Sequence, residues 1–549
     1  MNEHQHGGAG TSLATAPAGP PPVDDSCTRA AKELIDAVDA DPWGSVRPSL
    51  YETARVLSAA PWLPGGQARI DHLLREQAAD GSWGEGPEPY RLLPTLSAVE
   101  AVLAVLQRDP LAGGAADRLA AAAAGGLAAL GRLPSAGPWP DTAAAEILVP
   151  GLVAAVNERL DRPQVAGLPH LGPWHRGPRP VVPGGYSAAA PGAVARKCRA
   201  AGGVPFKLHH TFEGVAGHLP DVLLPEADGL LGSSPAATAA WLAAADRSPQ
   251  HSHRERAADE LAAVAHRYGG LLPEAAPITV FERLWVAAAL ARAGLASRGV
   301  STLRKWADHL YDPEGVRGAP GLMVDADDTA MAVLVAALVD RPRDPAPLAV
   351  FDNGHHYDCY VGEDTKSLSA NAHALQALCA HLRHHPEAAA THRPVMDRVA
   401  DWLVEHQQPQ GHWTDKWHAS PYYATERCVT ALAPFPGFRR RRAVEAAAAW
   451  VLATQHEDGS WGVWGGTAEE TAYAVKILLC TSGTVRQPAH TRALDRAGAF
   501  LHDTAGTPDH RHPALWHDKT LYAPQAMIQA EVVAARHLLR TRHETEYLP

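Results

Sequence analysis

The stretch from residue 321 to residue 338 reads GLMVDADDTAMAVLVAAL and sets Asp325, Asp327 and Asp328 at the start of an apolar helix. Like charges this close cannot all ionise cheaply in a poorly solvated site, so at least one carboxyl should keep its proton near neutral pH. The flanking side chains are hydrocarbon, and the stretch contains no lysine or arginine. The pattern therefore predicts a proton donor whose substrate is itself hydrocarbon, such as an alkene or an epoxide.

Two other interpretations of this cluster stay open. Aspartate is favoured at helix starts, so Asp325 can serve as a helix cap, although a cap accounts for one aspartate and not for three. Clustered carboxylates also bind Mg²⁺ or Ca²⁺, which makes a metal site the second alternative.

Length and composition restrict the class of protein. A chain of 549 residues is too long for one compact core and predicts two domains. Alanine-rich helical periodicity without strand-like alternation predicts an all-α fold. The formal net charge of −11, with no basic stripe, excludes nucleic acid as an expected partner. Six scattered cysteines without a CxxC pair argue against a disulfide framework or structural zinc and fit a reducing cytoplasm.

The N-terminal segment, residues 1–26, is rich in Gly, Pro and Ser and is predicted to be a disordered tail. It contains no apolar stretch of the length that a signal peptide needs. No apolar run approaches the roughly 20 residues of a membrane helix. We therefore expect a soluble cytoplasmic protein without an integral membrane segment, even if its substrate is oily.

A short pattern recurs three times. It reads QAADGSWG at residues 77–84, QQPQGHW at 407–413 and QHEDGSWG at 455–462. A recurring unit of this kind predicts stacked helix pairs. A Gln amide can hydrogen-bond free groups at helix ends while a Trp ring packs over the Asp-Gly turn, so these repeats are structural and carry no catalysis.

The stretch DADDTAMA resembles the DxDD motif of class II terpene cyclases, which start cyclisation by protonating a polyprenyl chain, and the repeats resemble the QW repeats of triterpene and diterpene cyclases. Further segments occur in the order of bacterial and plant labdane-type class II diterpene cyclases: SLYETARVL, PYRLLPTLSAVEAVL, KLHHTFEG, GLLGSSPAATAAWL, VFERLW, DKWHASPYYATE and GTAEETAYA. The resemblance extends over residues 45–525.

The resemblance implies two α/α-barrel (toroid) domains in the βγ architecture, with the γ domain inserted after the first helix of the β domain. In this sequence the first helix of the β domain would occupy residues 27–45 and the γ domain would occupy residues 46–288. The rest of the β domain would occupy residues 289–549.

The resemblance also implies roles for site residues. The middle aspartate, Asp327, would be the acid, and Asp325 and Asp328 would raise the chance that it is protonated. An uncharged group that orients the acid, an Asn in plant copalyl diphosphate synthases, would be Asn371, with His373 as a weaker candidate.

The terminating step differs from the plant pattern. In plant enzymes a His and an Asn hold the water that takes the last proton; the His corresponds to His210 and the Asn to Gly269. This departure leaves the product's stereochemistry and double-bond position open, with the adjacent His209 or a Tyr or Glu elsewhere as replacements. Core packing or capping is the alternative for either histidine.

Carbocations are stabilised by aromatic faces, so Trp285, Trp417, Tyr422 and Tyr423 are expected near the substrate, with ordinary core packing as the alternative. A substrate diphosphate needs cations and Mg²⁺. The expected basic ligands are Lys207 and Lys519. The remnants of the family's acidic patch, Asp141 and Glu146, are the expected metal ligands.

The DDxxD motif and the second metal motif of class I synthases are absent from the sequence. The diphosphate should therefore remain on the product, which a separate class I synthase or a phosphatase would consume. Assembly of the protein into a homodimer is compatible with the sequence.

The predicted function is an isomerase that converts geranylgeranyl diphosphate to a bicyclic labdane-type, copalyl-like diphosphate. Farnesyl diphosphate giving a drimane skeleton and a squalene-hopene type cyclase are alternatives from the same class. A prenyl-binding helical toroid without turnover is the non-enzyme alternative, and a glycosidase on an α/α toroid would also use paired carboxylates.

Overall fold

The computed structural model describes residues 26–542, apart from 109–112, 135, 169, 220–228, 246–250, 482–487 and 505–512. The described residues are predominantly helical, with one short two-stranded sheet, as the all-α prediction requires. The predicted disordered tail lies outside the described residues except for Ser26, which begins the first helix.

The helices of the N-terminal half are α1 (Ser26–Ala40), α2 (Leu50–Ala59), α3 (Gly66–Arg75), α4 (Glu88–Arg108), α5 (Gly113–Leu130), α6 (Ala145–Leu160), α7 (Pro163–Ala166), α8 (Gly172–His175), α9 (Ala190–Ala200), α10 (Pro235–Ala245) and α11 (His251–Arg267). Those that follow are α12 (Thr279–Arg292), α13 (Val300–Leu310), α14 (Ala326–Leu338), α15 (Leu368–His384), α16 (Ala389–Glu405), α17 (Pro421–Leu432), α18 (Phe438–Ala453), α19 (Ala468–Thr481), α20 (Pro488–Asp503) and α21 (Gln525–Thr541). Strands β1 (Trp516–His517) and β2 (Leu521–Tyr522) precede α21.

Several helices begin where the sequence supplies a side-chain cap. The hydroxyls of Ser49, Ser367 and Ser420 accept backbone N–H groups of the first turns of α2, α15 and α17. The carboxylate of Asp325 does the same for α14. These caps satisfy N–H groups that a helix start leaves without an intrahelical partner, and they fix where each helix begins.

The C-terminal part of the chain forms a closed ring of inner helices. In order around the ring, α12, α14, α15, α17, α19 and α21 each contact the next, and α21 returns to α12. Helices α1, α13, α16, α18 and α20 pack outside this ring. Buried apolar residues from positions 31–38 and 284–535 form one core, which we call the C-terminal core.

A second hydrophobic core, the N-terminal core, is built from residues 51–276. Helices α2, α4, α6 and α10 provide its interior, and the 3-10 turn Phe212–Gly214 links α6 to α10. The predicted boundary between residues 288 and 289 is wrong, because it falls inside α12, whose buried residues belong to the C-terminal core. The two cores part near residue 277.

Helix α4 corrects the expectation that no apolar run reaches membrane length. Among the described helices it is the one whose length and composition would allow it to cross a membrane, but 78% of its apolar window is buried in the protein. It packs against α2, α5 and α6. The apolar residues of α4 are therefore part of the N-terminal core.

The three repeats make the same contacts at three places. In the first, the Gln77 amide donates to the carbonyl oxygens of Gly81 and Ala122, each at 2.9 Å, and the Trp83 indole donates to Leu73 at 2.7 Å. The second and third repeats reproduce both patterns. Each repeat thus ties a helix end to its own turn and to the next outer helix, which is the structural role that the sequence predicts.

The hairpin formed by β1 and β2 joins the two cores. The strands pair antiparallel, with Trp516 opposite Tyr522 and His517 opposite Leu521. Its turn, residues 518–520, reaches away from the C-terminal core and makes its side-chain contacts with the N-terminal part of the chain.

Lys519 is the centre of these contacts. Its ammonium group is fully buried and lies 2.6 Å from a carboxylate oxygen of Glu52 and 2.9 Å from one of Glu213. Burial disfavours the charged ammonium, but the two carboxylates raise the pKa of Lys519 above its ordinary value. The neighbouring Thr520 donates its N–H to Glu274 at 2.7 Å. The hairpin is therefore a polar clasp between the two cores.

Replacing Lys519 by Met leaves Glu52 and Glu213 buried without their cation. Removing one member of a buried ion pair costs about 3 to 5 kcal/mol, and we expect the free energy of unfolding, measured by urea denaturation with tryptophan fluorescence, to fall by that amount. Lys32→Met, which removes an exposed pair with Asp36, is the matched control and should leave the midpoint unchanged. Equal midpoints for the two variants would contradict the role of the clasp.

Candidate active site

The start of α14 fixes the aspartate cluster. The Asp325 carboxylate accepts the Asp328 N–H at 2.7 Å, and the Thr329 hydroxyl donates to the Asp325 carbonyl at 2.6 Å. The same hydroxyl accepts the Val316 N–H at 2.9 Å. Asp325 is thus the helix cap that one alternative predicted, and the cap holds Asp327 and Asp328 in the first turn.

All three carboxyl groups are buried, with residue exposures of 6% for Asp325, 9% for Asp327 and 5% for Asp328. Burial, together with the charge of Asp328, raises the pKa of Asp325 well above its ordinary value. Burial raises the pKa of Asp328 to about 7. The cluster therefore retains protons at neutral pH, as the sequence predicts.

His373, and not Asn371, contacts the predicted acid. Its Nδ1 lies 2.5 Å from Oδ1 of Asp327, and its ring meets the Trp285 ring edge-on at 5.4 Å. His373 and Asp327 are 46 positions apart in the sequence. An imidazole N–H at this place would stabilise Asp327 in its carboxylate form.

Asn371 holds a loop instead. Its amide donates to the carbonyls of Tyr357 and Ser367, at 2.8 and 2.9 Å, and its own carbonyl accepts the Tyr357 N–H at 2.8 Å. With every hydrogen bond made to backbone, Asn371 has no group directed at Asp327. The loop that it anchors continues to Cys359, whose carbonyl accepts the Ala326 N–H at 2.9 Å. Asn371 therefore stabilises the loop next to the site, and the prediction that it orients the acid is wrong.

A cavity of about 550 Å³ opens beside the three aspartates, between the two cores. Its wall is rich in aromatic rings. Those that line it are Phe206, Phe281, Trp285, Tyr360, Trp417, Tyr423, Trp516 and Tyr522.

Three of the four predicted aromatic residues line this cavity: Trp285, Trp417 and Tyr423. Tyr422 does not, because its ring packs 4.6 Å from Trp450 on the other side of α17. That part of the prediction is wrong.

Five aromatic residues of the cavity wall are not among those predicted: Phe206, Phe281, Tyr360, Trp516 and Tyr522. Of these, Phe281 and Trp516 pack together with their ring centroids 5.8 Å apart. Phe281 lies in VFERLW, one of the segments that carried the resemblance, so the sequence contained a signal for it. The Trp516 indole donates to Glu469 at 2.8 Å, and the Tyr473 hydroxyl donates to the same oxygen at 3.0 Å. This buried carboxylate fixes the orientation of the Trp516 ring.

Of the four predicted diphosphate and metal ligands, two line the cavity and two do not. Lys207 and Glu146 line the cavity, whereas Asp141 is an exposed residue outside its wall. Lys519 is sealed in the polar clasp with its carboxylate partners and cannot reach a ligand in the cavity. In the part of the chain that the structure describes, no group of three or more His, Cys, Asp or Glu side chains is arranged to hold a metal.

His210 lines the cavity, as predicted, but does not have the partner that the plant pattern implies. Its Nδ1 lies 2.6 Å from the Gly232 carbonyl oxygen, and its Nε2 lies 2.9 and 3.0 Å from the carboxylate oxygens of Asp518. Burial opposes the charged ring, but the Asp518 carboxylate raises the pKa of His210 above its ordinary value.

Comparison with known proteins agrees with this geometry. The family model named Squalene-hopene cyclase C-terminal domain matches residues 362–500. Two curated relatives extend over nearly the whole chain. A "Copalyl diphosphate synthase" of Streptomyces cyslabdanicus is 59% identical and covers 94% of this chain and 96% of its own. A "Labda-7,13-dienyl diphosphate synthase" of Streptomyces clavuligerus is 48% identical and covers 95% of each chain.

The chain belongs to the class II diterpene cyclase family. Among solved structures, the ent-copalyl diphosphate synthase of Streptomyces platensis superposes on the cyclase with a TM-score of 0.85 at 41% identity, over 93% of this chain and 99% of that one. The Arabidopsis thaliana ent-copalyl diphosphate synthase, at 16% identity and a TM-score of 0.51 over 88% and 79% of the two chains, shares the fold. The expected toroid architecture of class II terpene cyclases is confirmed.

The site of the cyclase combines three chemical properties. Buried carboxyl groups stand at a helix start, an imidazole lies 2.5 Å from one of them, and aromatic residues line the adjacent space. A carboxylic acid in a water-poor cleft is a strong enough donor to protonate an alkene when ring closure accompanies the transfer. Aromatic rings then stabilise the cationic carbon.

His373→Phe keeps a planar ring but removes the donor to Asp327. A hydrogen bond to a charged group is worth about 1.5 to 3 kcal/mol, so turnover should fall roughly 10- to 100-fold. Product formation at saturating substrate measures the effect. The exposed His502→Phe should keep wild-type turnover. Equal turnover of the two variants would show that His373 has no part in the proton transfer.

Proposed function

We propose that the cyclase converts geranylgeranyl diphosphate to a bicyclic labdane-type diphosphate such as copalyl diphosphate, an isomerisation in which the diphosphate stays on the product. The names and identities of the relatives, 59% and 48% over almost the full chain, support a labdane-type product. The observation that carries the proposal is the set of buried, proton-retaining carboxyls at the wall of an aromatic cavity.

The reaction would start at Asp327. Its carboxyl proton adds to the terminal alkene, the other alkene carbon becomes cationic, and two ring closures follow as neighbouring double bonds attack. Asp327 is left as a carboxylate, which the imidazole 2.5 Å away stabilises. Trp285 and Tyr423 line the same cavity, and the faces of their rings would lower the energy of the cationic intermediates.

The diphosphate end would lie at the side of the cavity that contains Lys207 and Glu146. Mg²⁺ is usually bound by one or two carboxylates together with substrate phosphates, so Glu146 suffices as a protein ligand and no preformed cage is needed. When bound, the metal would neutralise diphosphate charge. Lys207 would contribute a second cation without taking part in the carbon chemistry.

The place of the cyclase in metabolism follows from the retained diphosphate. A separate class I synthase or a phosphatase would have to remove it. We place the cyclase in the cytoplasm, in line with its free cysteines.

A substrate panel tests the proposal. The purified cyclase is incubated with farnesyl diphosphate, geranylgeranyl diphosphate and squalene, and the products are treated with phosphatase and analysed by mass spectrometry. We expect conversion of the C20 substrate to a bicyclic product, slower conversion of the C15 substrate and no conversion of squalene. Asp327→Asn serves as the inactive control. Cyclised squalene, or prenyl binding without conversion, would contradict the proposal.

A further inference from the structure

The contacts of His210 exclude it as the final proton acceptor. Its two nitrogens face the Gly232 carbonyl and the Asp518 carboxylate, at 2.6 and 2.9 Å. Neither a carbonyl nor an ionised carboxylate has a hydrogen to give, so both ring nitrogens carry hydrogens and donate them. The ring has no lone pair with which to take a proton from the substrate.

Asp518 is the anion of this pair. Burial opposes its ionisation, but the charge and hydrogen bond of His210 and the neighbouring Lys519 ammonium lower the pKa of Asp518 below its ordinary value. Its side chain lines the cavity and keeps 18% of its surface exposed. A carboxylate with available lone pairs therefore faces the space that holds the substrate.

The other carboxylates of the cavity wall are less suited to accept a proton there. Glu274 accepts hydrogen bonds from Thr520 on both of its oxygens and keeps 1% of its surface exposed. Glu363 accepts hydrogen bonds on both of its oxygens, from Tyr360, Thr365 and Lys416. Glu146 and Asp364 are exposed residues. Apart from the acid cluster, Asp518 is thus the partly buried carboxylate, among the described residues of the wall, that keeps lone pairs available to the cavity.

The neutral bases of the wall are also engaged. Nε2 of His517 lies 3.0 Å from the Tyr90 hydroxyl, and its Nδ1 lies 2.7 Å from the Lys416 carbonyl. Because Nδ1 must donate to that carbonyl, the lone pair of Nε2 is the one that the Tyr90 hydroxyl occupies.

The backbone of Asp518 is fixed as firmly as its side chain. Its carbonyl accepts the Ala143 N–H at 2.9 Å, and its N–H donates to the Thr520 carbonyl at 3.0 Å. The next residue, Lys519, is locked in the polar clasp. The His210 contact, the backbone hydrogen bonds and the fixed neighbour Lys519 together hold the carboxylate in one position. A base must be held in this way if it is to remove one particular hydrogen of the substrate.

We propose that Asp518 is the base that ends the reaction and that His210 is the positioning residue that holds it, an inference that rests on the proposed function. A C–H bond next to the last cationic carbon breaks, its electron pair becomes the new C=C bond, and the proton joins an oxygen of Asp518. One proton enters from Asp327 and one leaves to Asp518, so the product is an isomer of the substrate.

Asp518→Asn tests this role because it keeps the size of the side chain and removes its charge. With geranylgeranyl diphosphate, conversion should fall roughly 10²-fold, as expected for the loss of a general base. The remaining product should shift from the wild-type alkene toward other alkene isomers and hydroxylated diphosphates formed by water capture. Asp518→Glu, which restores a carboxylate, should recover the wild-type alkene. The wild-type alkene as the main product of Asp518→Asn at wild-type rate would overturn the proposal.

Thermal melting monitored by circular dichroism accompanies each variant. If Asp518→Asn does not fold, the product ratio of His210→Gln decides, because this change removes the cation that fixes Asp518 and should shift the ratio in the same direction; an unchanged ratio would overturn the proposal. Asp340→Asn, at an exposed carboxylate, should keep the wild-type ratio. A wild-type protein that leaves the C20 substrate unconverted would instead contradict the proposed function, and with it this base.

Discussion

Exclusion of water from the carboxyl groups at the start of α14 is the constraint on which the site depends. Three aspartates in contact with bulk water would all ionise, and none would then have a proton to give. Burial reverses this, raising the pKa of Asp325 and Asp328 until the cluster retains protons at neutral pH. The same exclusion keeps water from capturing a carbocation before the rings have closed. The exclusion of water thus keeps the carboxyl groups protonated and also protects the carbocation that they generate.

The cavity exists because two separately packed cores meet at this point, and the hairpin of β1 and β2 determines how they meet. Its buried Lys519 ties carboxylates of the N-terminal core to a turn of the C-terminal part. A buried ion pair costs desolvation energy, so its contribution here is geometric as much as energetic. It places Asp518 on the cavity wall and Trp516 among the aromatic rings. The clasp and the active site are therefore parts of one arrangement.

The sequence predicted what local pattern determines. Hydrophobic periodicity predicted the all-α fold, the Gln and Trp repeats predicted the helix staples, and Asp325, Asp327 and Asp328 predicted a proton-retaining cluster. It did not predict which face of a helix meets the cavity. Successive helical residues point about 100° apart, so Tyr423 faces the substrate space while its neighbour Tyr422 packs against an outer helix.

The same reason separates His373 from Asn371, which differ by two positions on α15 and point in nearly opposite directions. The roles of Lys519 and Asp518 were not predicted for a different reason. Their partners, Glu52 and His210, lie 467 and 308 positions away in the chain, and only the packing of the two cores brings them together. No local pattern around residue 519 distinguishes a buried clasp from a basic residue at a ligand site.

The central claim is that the protein donates a proton to an alkene, and isotopic labelling tests it most directly. The cyclase is exchanged into D₂O and allowed many turnovers with unlabelled geranylgeranyl diphosphate, and the product mass is compared with that formed in H₂O. The account predicts one deuterium atom in every product molecule, carried in from the exchangeable acid. A cyclised product without deuterium would contradict it, because the carbocation would then have formed by some other route.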